Sequence, residues 1–134
     1  MTSKLDTFLF LLQKIRESPE IYLGRKSLIS LVQFWNGYNF RLNIEEWEKS
    51  TGHSVIMNFD NAMKRRGRVR KKAGYPFMKE FSKFVHSYYD QGRGAYSVAM
   101  LISTNCNSEE EAFDKYFELH DMFLEQNSDL PFYY

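Results

Sequence analysis

Apolar residues recur along this chain at three- and four-residue spacing far more than at alternate positions, the pattern of amphipathic helices. Leu5, Phe8, Leu9, Leu12 and Ile15 form the first such stripe. Ser3 or Asp6 can start that helix. Pro19 stops it, with Ser18 pushed toward an extended conformation. Gly24 breaks the chain again. Ser27 can cap a second helix whose buried face holds Leu28, Leu31, Val32, Trp35, Tyr38 and Leu42. Gly37 inside that pattern costs about 1 kcal/mol relative to Ala, so a close helix crossing is expected over it. Asn43 then caps a short helix from Ile44 to Lys49, closed by Gly52.

Further along, Ile56, Phe59 and Met63 suggest a helix over 55–64, and Gly67 and Gly74 interrupt the chain beyond it. After Pro76 the pattern returns. Phe77, Phe81, Phe84, Val85 and Tyr88 line one face of a helix to about Tyr89, and Gly92 and Gly94 mark a turn. The apolar run from Ala95 to Ser103 fits a short helix or a buried strand. No second strand is evident to pair with it and an isolated strand is not stable, so a helix is favoured. Asn107 or Ser108 caps the last helix, and Ser108 with Glu111 has the capping-box form. Glu109, Glu110 and Glu111 fill its first turn, where the helix dipole favours negative charge. The expectation is an all-α, single-domain chain over 1–134, an irregular bundle of six or seven helices.

Composition narrows the function classes. Phe, Tyr and Trp make up 17% of the chain, too many for a disordered tail. The 1 Cys excludes a disulfide framework or Cys-rich zinc module, and the 3 His give little material for a metal site. No apolar run approaches the ~20 residues that span a bilayer. The run from Phe8 to Leu12 is too short for a signal-peptide core. A soluble protein of a reducing, cytoplasmic compartment is expected, with no membrane contact and no cofactor or metal.

The formal net charge of +1 conceals a division: residues 1–106 hold 17 basic and 9 acidic side chains, residues 107–134 hold 1 basic and 8 acidic. On the last helix Glu110, Asp114, Glu118, Asp121 and Glu125 share a strip about 80° wide at 100° per residue, with Glu111 beside it. Like charges at (i, i+4) destabilise an isolated helix by a few tenths of a kcal/mol per pair. The strip reads either as an ordinary solvated face or as a docking face for a basic partner. The second charged feature is Lys64, Arg65, Arg66, Arg68, Arg70, Lys71 and Lys72, with seven cations in nine residues. It reads as a solvated loop, as an internal partner for the acidic helix, or as a phosphate-binding tract with Tyr75 and Phe77 nearby to stack on bases.

Signs of catalysis are weak. The His residues have no Cys or carboxylate at metal-ligand spacing, and neither HExxH nor CxxC occurs. His120 falls on the apolar face of the last helix, as a core histidine does. Cys106 precedes that helix without a recognisable base, so its position near a helix N-terminus does not make it a nucleophile. Glu45, Glu46 and Glu48 read as a solvated face, and Gly24 stands alone before Arg25-Lys26-Ser27 rather than in a phosphate loop. No enzyme is expected.

The run from Ile15 to Tyr38, with its Pro-x-x-Tyr-Leu-Gly-Arg-Lys-Ser-Leu core, and the late Ser-Glu-Glu-Glu-Ala-Phe-Asp-Lys-Tyr-Phe-Glu-Leu segment from Ser108 to Leu119 resemble small bacterial proteins of about this length. Trp47 and the apolar Tyr96 to Ile102 stretch fit the same pattern. Some of these proteins resemble immunity proteins of polymorphic-toxin and contact-dependent growth-inhibition systems. That resemblance implies an all-α fold and a protein that binds a cognate toxin, often a nuclease, and occludes its active site without catalysis. The binding surface expected on this chain is Glu111, Asp114, Glu118, Asp121 and Glu125, with Phe132, Tyr133 and Tyr134 as aromatic anchors. The contrasting expectation is a nucleic-acid-binding module that uses Lys64 to Lys72.

Overall fold

Ser3 opens the first helix, α1 (Lys4–Glu17), with a reciprocal cap. Its hydroxyl accepts from the Asp6 N–H at 3.0 Å, and the Asp6 carboxylate accepts from the Ser3 N–H at 3.2 Å. Both residues expected to start the helix therefore do so, in complementary roles. The geometry is that of a computed structural model, which describes residues 3–54, 56–57, 74–89 and 97–134.

Pro19 ends α1 and also begins a helix of its own, α2 (Pro19–Leu23). The apolar pattern shows only the break. Proline suits the first turn of a helix because the N–H it lacks would have no intrahelical partner there. Gly24 closes α2 in the left-handed region at φ +80°, its N–H donating to the Glu20 carbonyl at 3.0 Å. Ser27 then starts α3 (Leu28–Thr51), its hydroxyl accepting from the Ser30 N–H at 3.3 Å.

The two helices expected between Leu28 and Lys49 are one continuous helix. Asn43 is only a moderately poor helix former and neither Pro nor Gly stands beside it, so the ladder runs through. Among the described residues nothing lies within 4 Å of a Cβ built on Gly37, so no close helix crossing among them accounts for that glycine. The helix expected over 55–64 lies, apart from Ile56 and Met57, outside the described residues.

A two-residue strand, β1 (Tyr75–Pro76), leads into α4 (Phe77–Tyr88). The ambiguous apolar run settles as a helix, α5 (Val98–Thr104), capped by Ser97, whose hydroxyl accepts from the Met100 N–H at 3.2 Å. The long α6 (Glu109–Gln126) follows, and a second short strand, β2 (Phe132–Tyr133), lies parallel to β1 with Tyr75 opposite Phe132 and Pro76 opposite Tyr133. Six helices among the described residues make this an irregular all-α bundle. The small sheet escapes the sequence pattern, because two-residue strands leave no alternation to read.

The described chain divides into two compact units. The first, residues 1–32 with 72–134, has a core of aromatic rings. Phe8, Phe77, Phe81 and Phe113 are its largest fully buried side chains. Phe77 sits at the crossing point, with ring centroids 5.9 Å from Phe8, 5.4 Å from Phe123 and 5.5 Å from Phe132, all edge-on. Edge-to-face packing sets the positive rim of one ring against the negative face of another. Phe132 also lies 5.2 Å from Phe123, and Tyr134 lies 5.4 Å from Phe8. The C-terminal residues thus clasp α1, α4 and α6 together, which explains two of the three terminal aromatics without a partner.

The second unit, residues 33–71, is described over 33–54 and 56–57. Trp35 stacks on Tyr38 at 5.6 Å, Ile44 is buried, and Trp47 lies 6.4 Å from the His53 ring. The Thr51 hydroxyl donates to the Trp47 carbonyl at 2.8 Å near the helix end.

Candidate docking face of the last helix

The acidic strip belongs to α6, which the sequence caps firmly. The Ser108 hydroxyl accepts from the Glu111 N–H at 3.1 Å. Glu111 reaches back one residue further than a capping box requires, its carboxylate accepting from the Asn107 N–H at 3.0 Å. Ala112, Phe113, Tyr116, Phe117, Leu119, His120 and Phe123 take the buried side, so the carboxylates are left on the outer one.

That outer side is not uniform. Lys26 forms an ion pair with Asp114 at 2.8 Å and lies over the Phe113 ring at 5.9 Å. Arg16 repeats the arrangement seven residues along, pairing with Asp121 at 2.8 Å and lying over the Phe117 ring at 5.3 Å. Arg25 approaches Glu109 at 3.4 Å, and the hydroxyl of fully buried Ser27 donates to the same carboxylate at 3.4 Å. One edge of the strip is thus tied to α1 and to the segment after α2. Each pair is worth at most about 1 kcal/mol because both partners remain wet; Asp114 is 65% and Asp121 53% exposed.

The segment after α2 and the start of α6 meet at these contacts. Gly24 turns the chain so that Arg25, Lys26 and Ser27 reach the first two turns of α6.

The opposite edge is bounded by Lys115, which donates to the Tyr88 hydroxyl at 2.8 Å and to Glu118 at 3.4 Å. The Tyr88 hydrogen bond raises the Lys115 pKa, so the lysine is a firm cation. Nearby, burial pushes up the Cys106 thiol, reinforced by Glu111 and opposed by Lys115. A raised thiol pKa is the reverse of what a nucleophilic cysteine needs.

Between the two edges run Glu111, Glu118 and Glu125. Spaced by seven, they lie nearly in line, drifting about 20° per step, and cover roughly 21 Å at 1.5 Å per residue. All three are exposed. Glu110 and Glu125 have no ion pair among the described residues. The sequence-derived site thus separates into an inner pair, Asp114 and Asp121, engaged within the fold, and an outer line that faces solvent. The cations that engage the inner pair were missed by sequence reasoning. Their signal was present in the like-charge spacing of α6, which calls for compensating charge, but Arg16 and Lys26 are 105 and 88 residues away from their partners.

Phe132 and Tyr134 lie in the aromatic clasp, while Tyr133 is half-buried beside Gly74. Lys64, Arg65, Arg66, Arg68, Arg70, Lys71 and Lys72 lie outside the described residues. No group of three or more His, Cys, Asp or Glu among the described residues can hold a metal ion. No helix among them is long and apolar enough to cross a membrane.

The fold and this face define an all-α protein with two rows of carboxylates on its last helix, one tied to Arg16 and Lys26 and the other, Glu111, Glu118 and Glu125, exposed, with Lys115 beside Glu118. Comparison of the chain with protein-family models, with curated proteins and with solved structures gave no match.

Proposed function

We propose that the protein is a cytoplasmic bacterial immunity protein that binds a cognate toxin domain and blocks it without catalysis. The toxin is of the nuclease class. The observation that carries this reading is the outer line of Glu111, Glu118 and Glu125 on a rigid, well-capped helix. A nuclease holds phosphates on a basic surface, and a row of fixed carboxylates offers that surface the same charge pattern. Complementary charge of this kind steers encounter and selects the partner. Support also comes from the sequence resemblance to immunity proteins, and from the weakness of any catalytic arrangement around Cys106 or the histidines.

Within this reading the inner carboxylates have a second role. Arg16 and Lys26 hold Asp114 and Asp121 in place, so that the face is ordered before the partner arrives. Charge reversal at Glu118 and Glu125 tests the reading, with toxin affinity and its salt dependence as the readout. The alternative is a nucleic-acid-binding module built on Lys64 to Lys72, favoured by seven cations in nine residues. It requires micromolar, strongly salt-dependent binding to RNA or DNA. A titration of the protein alone at low salt that shows no binding removes it.

A further inference from the structure

His120 has no part in the docking face, and its surroundings are unusual. The residue is 6% exposed, and its Nε2 atom is fully buried with no hydrogen-bond partner among the described residues. Four rings enclose it, with centroids at 5.7 Å for Phe77, 5.8 Å for Phe81, 6.2 Å for Tyr116 and 6.3 Å for Phe117. Buried polar atoms almost always find a partner, so an orphaned imidazole nitrogen in an aromatic core calls for an explanation.

We propose that His120 is an acid-sensitive switch: its protonation loosens the packing of α4 against α6 and, through Phe77, releases the C-terminal strand. The groups that face it show why protonation is not accommodated. α4 contributes the apolar rings of Phe77 and Phe81. α1 contributes the Arg16 guanidinium, whose charge opposes a second cation. α6 contributes Tyr116, and only the neighbouring Asp121 favours the charged ring. Asp121 is already committed to Arg16 at 2.8 Å. A charged imidazole would thus sit among rings with no acceptor for its second N–H, which costs several kcal/mol unless the core opens. The route outward is short, because Phe77 touches both His120 and Phe132.

Burial holds the His120 pKa down to about 4, against an ordinary value of 6.5. Between those values the unfolded chain binds the proton and the folded chain does not. Stability is therefore full above about pH 6.5 and is lost as the pH falls toward 4, the unfolding constant rising by up to about tenfold per pH unit.

The test compares urea unfolding of the full chain and of His120→Phe between pH 7.5 and 4.5, beside an NMR titration of the imidazoles in the unaltered protein. The variant is expected to lose most of the pH dependence between 6.5 and 4.5. The His120 resonance is expected to stay neutral through pH 5.5 while the fold persists. Equal pH dependence in both proteins overturns the proposal. So does a His120 ring that titrates near 6.5 in the folded state, a result that decides the matter even if the variant does not fold.

Discussion

Arg16 on α1 and Asp121 on α6, 105 residues apart in the chain, meet in an ion pair of 2.8 Å while the guanidinium lies 5.3 Å over the Phe117 ring. The pair joins the start of the chain to its last helix at the edge of the acidic face. Because both groups stay wet, Asp121→Asn should cost less than about 1 kcal/mol. Arg16→Ala should cost more, because its stem and guanidinium also cover Phe117. Urea unfolding of the two single variants and the double variant checks this, and equal losses would show that the ring contact contributes nothing.

Gly74 tests the C-terminal clasp. It stands at φ +117°, and a Cβ there would collide with the Pro131 carbonyl, which accepts from the Tyr75 N–H at 3.3 Å. Gly74→Ala should destabilise the protein by more than about 1 kcal/mol, since the new residue can neither adopt this conformation freely nor fit the space. Increased hydrogen exchange of residues 127–134 should accompany the loss; unchanged exchange there would show that β2 is held by its side chains alone.

Phe77 is the ring on which the first unit turns, touching Phe8, Phe81, His120, Phe123 and Phe132. Phe77→Ala should cost about 3–5 kcal/mol, the range for aromatic truncation in a packed core. Phe77→Leu keeps much of the volume and should cost clearly less. Similar losses in the two would place the effect outside the ring packing.

Ser108 caps the helix that carries the candidate site. Ser108→Ala should cost about 1 kcal/mol. It should also release Glu111, whose backbone N–H bonds the Ser108 hydroxyl at 3.1 Å. Thermal unfolding measures the loss, and Ser108→Asp should restore most of it.

Much of this fold was legible in the sequence where a single helix settles its own boundaries. Ser3 with Asp6, Pro19 and Ser108 with Glu111 act locally, and they mark helix ends where the sequence places them. The spacing of Phe77, Phe81 and Val85 likewise marks a buried face. What failed depended on context. Asn43 carries a capping residue's chemistry inside a helix that runs on past it. The β1–β2 pairing joins Tyr75 to Phe132, and no local pattern announces it. The acidic strip was legible as a strip. Its division into an inner row held by Arg16 and Lys26 and an outer row free of them required knowing which side α1 lies on.

Whether the outer line of α6 neutralises a toxin by binding it is decided by growth of a bacterial host that produces the C-terminal domain of the protein encoded directly upstream. Either the unaltered protein or Glu118→Lys/Glu125→Lys is supplied in the same cell. The unaltered protein should restore growth. The double variant, with unfolding unchanged within about 0.5 kcal/mol as expected for exposed sites, should fail to do so. Growth that the unaltered protein does not restore contradicts the immunity function, and growth restored equally by the variant contradicts the assigned face.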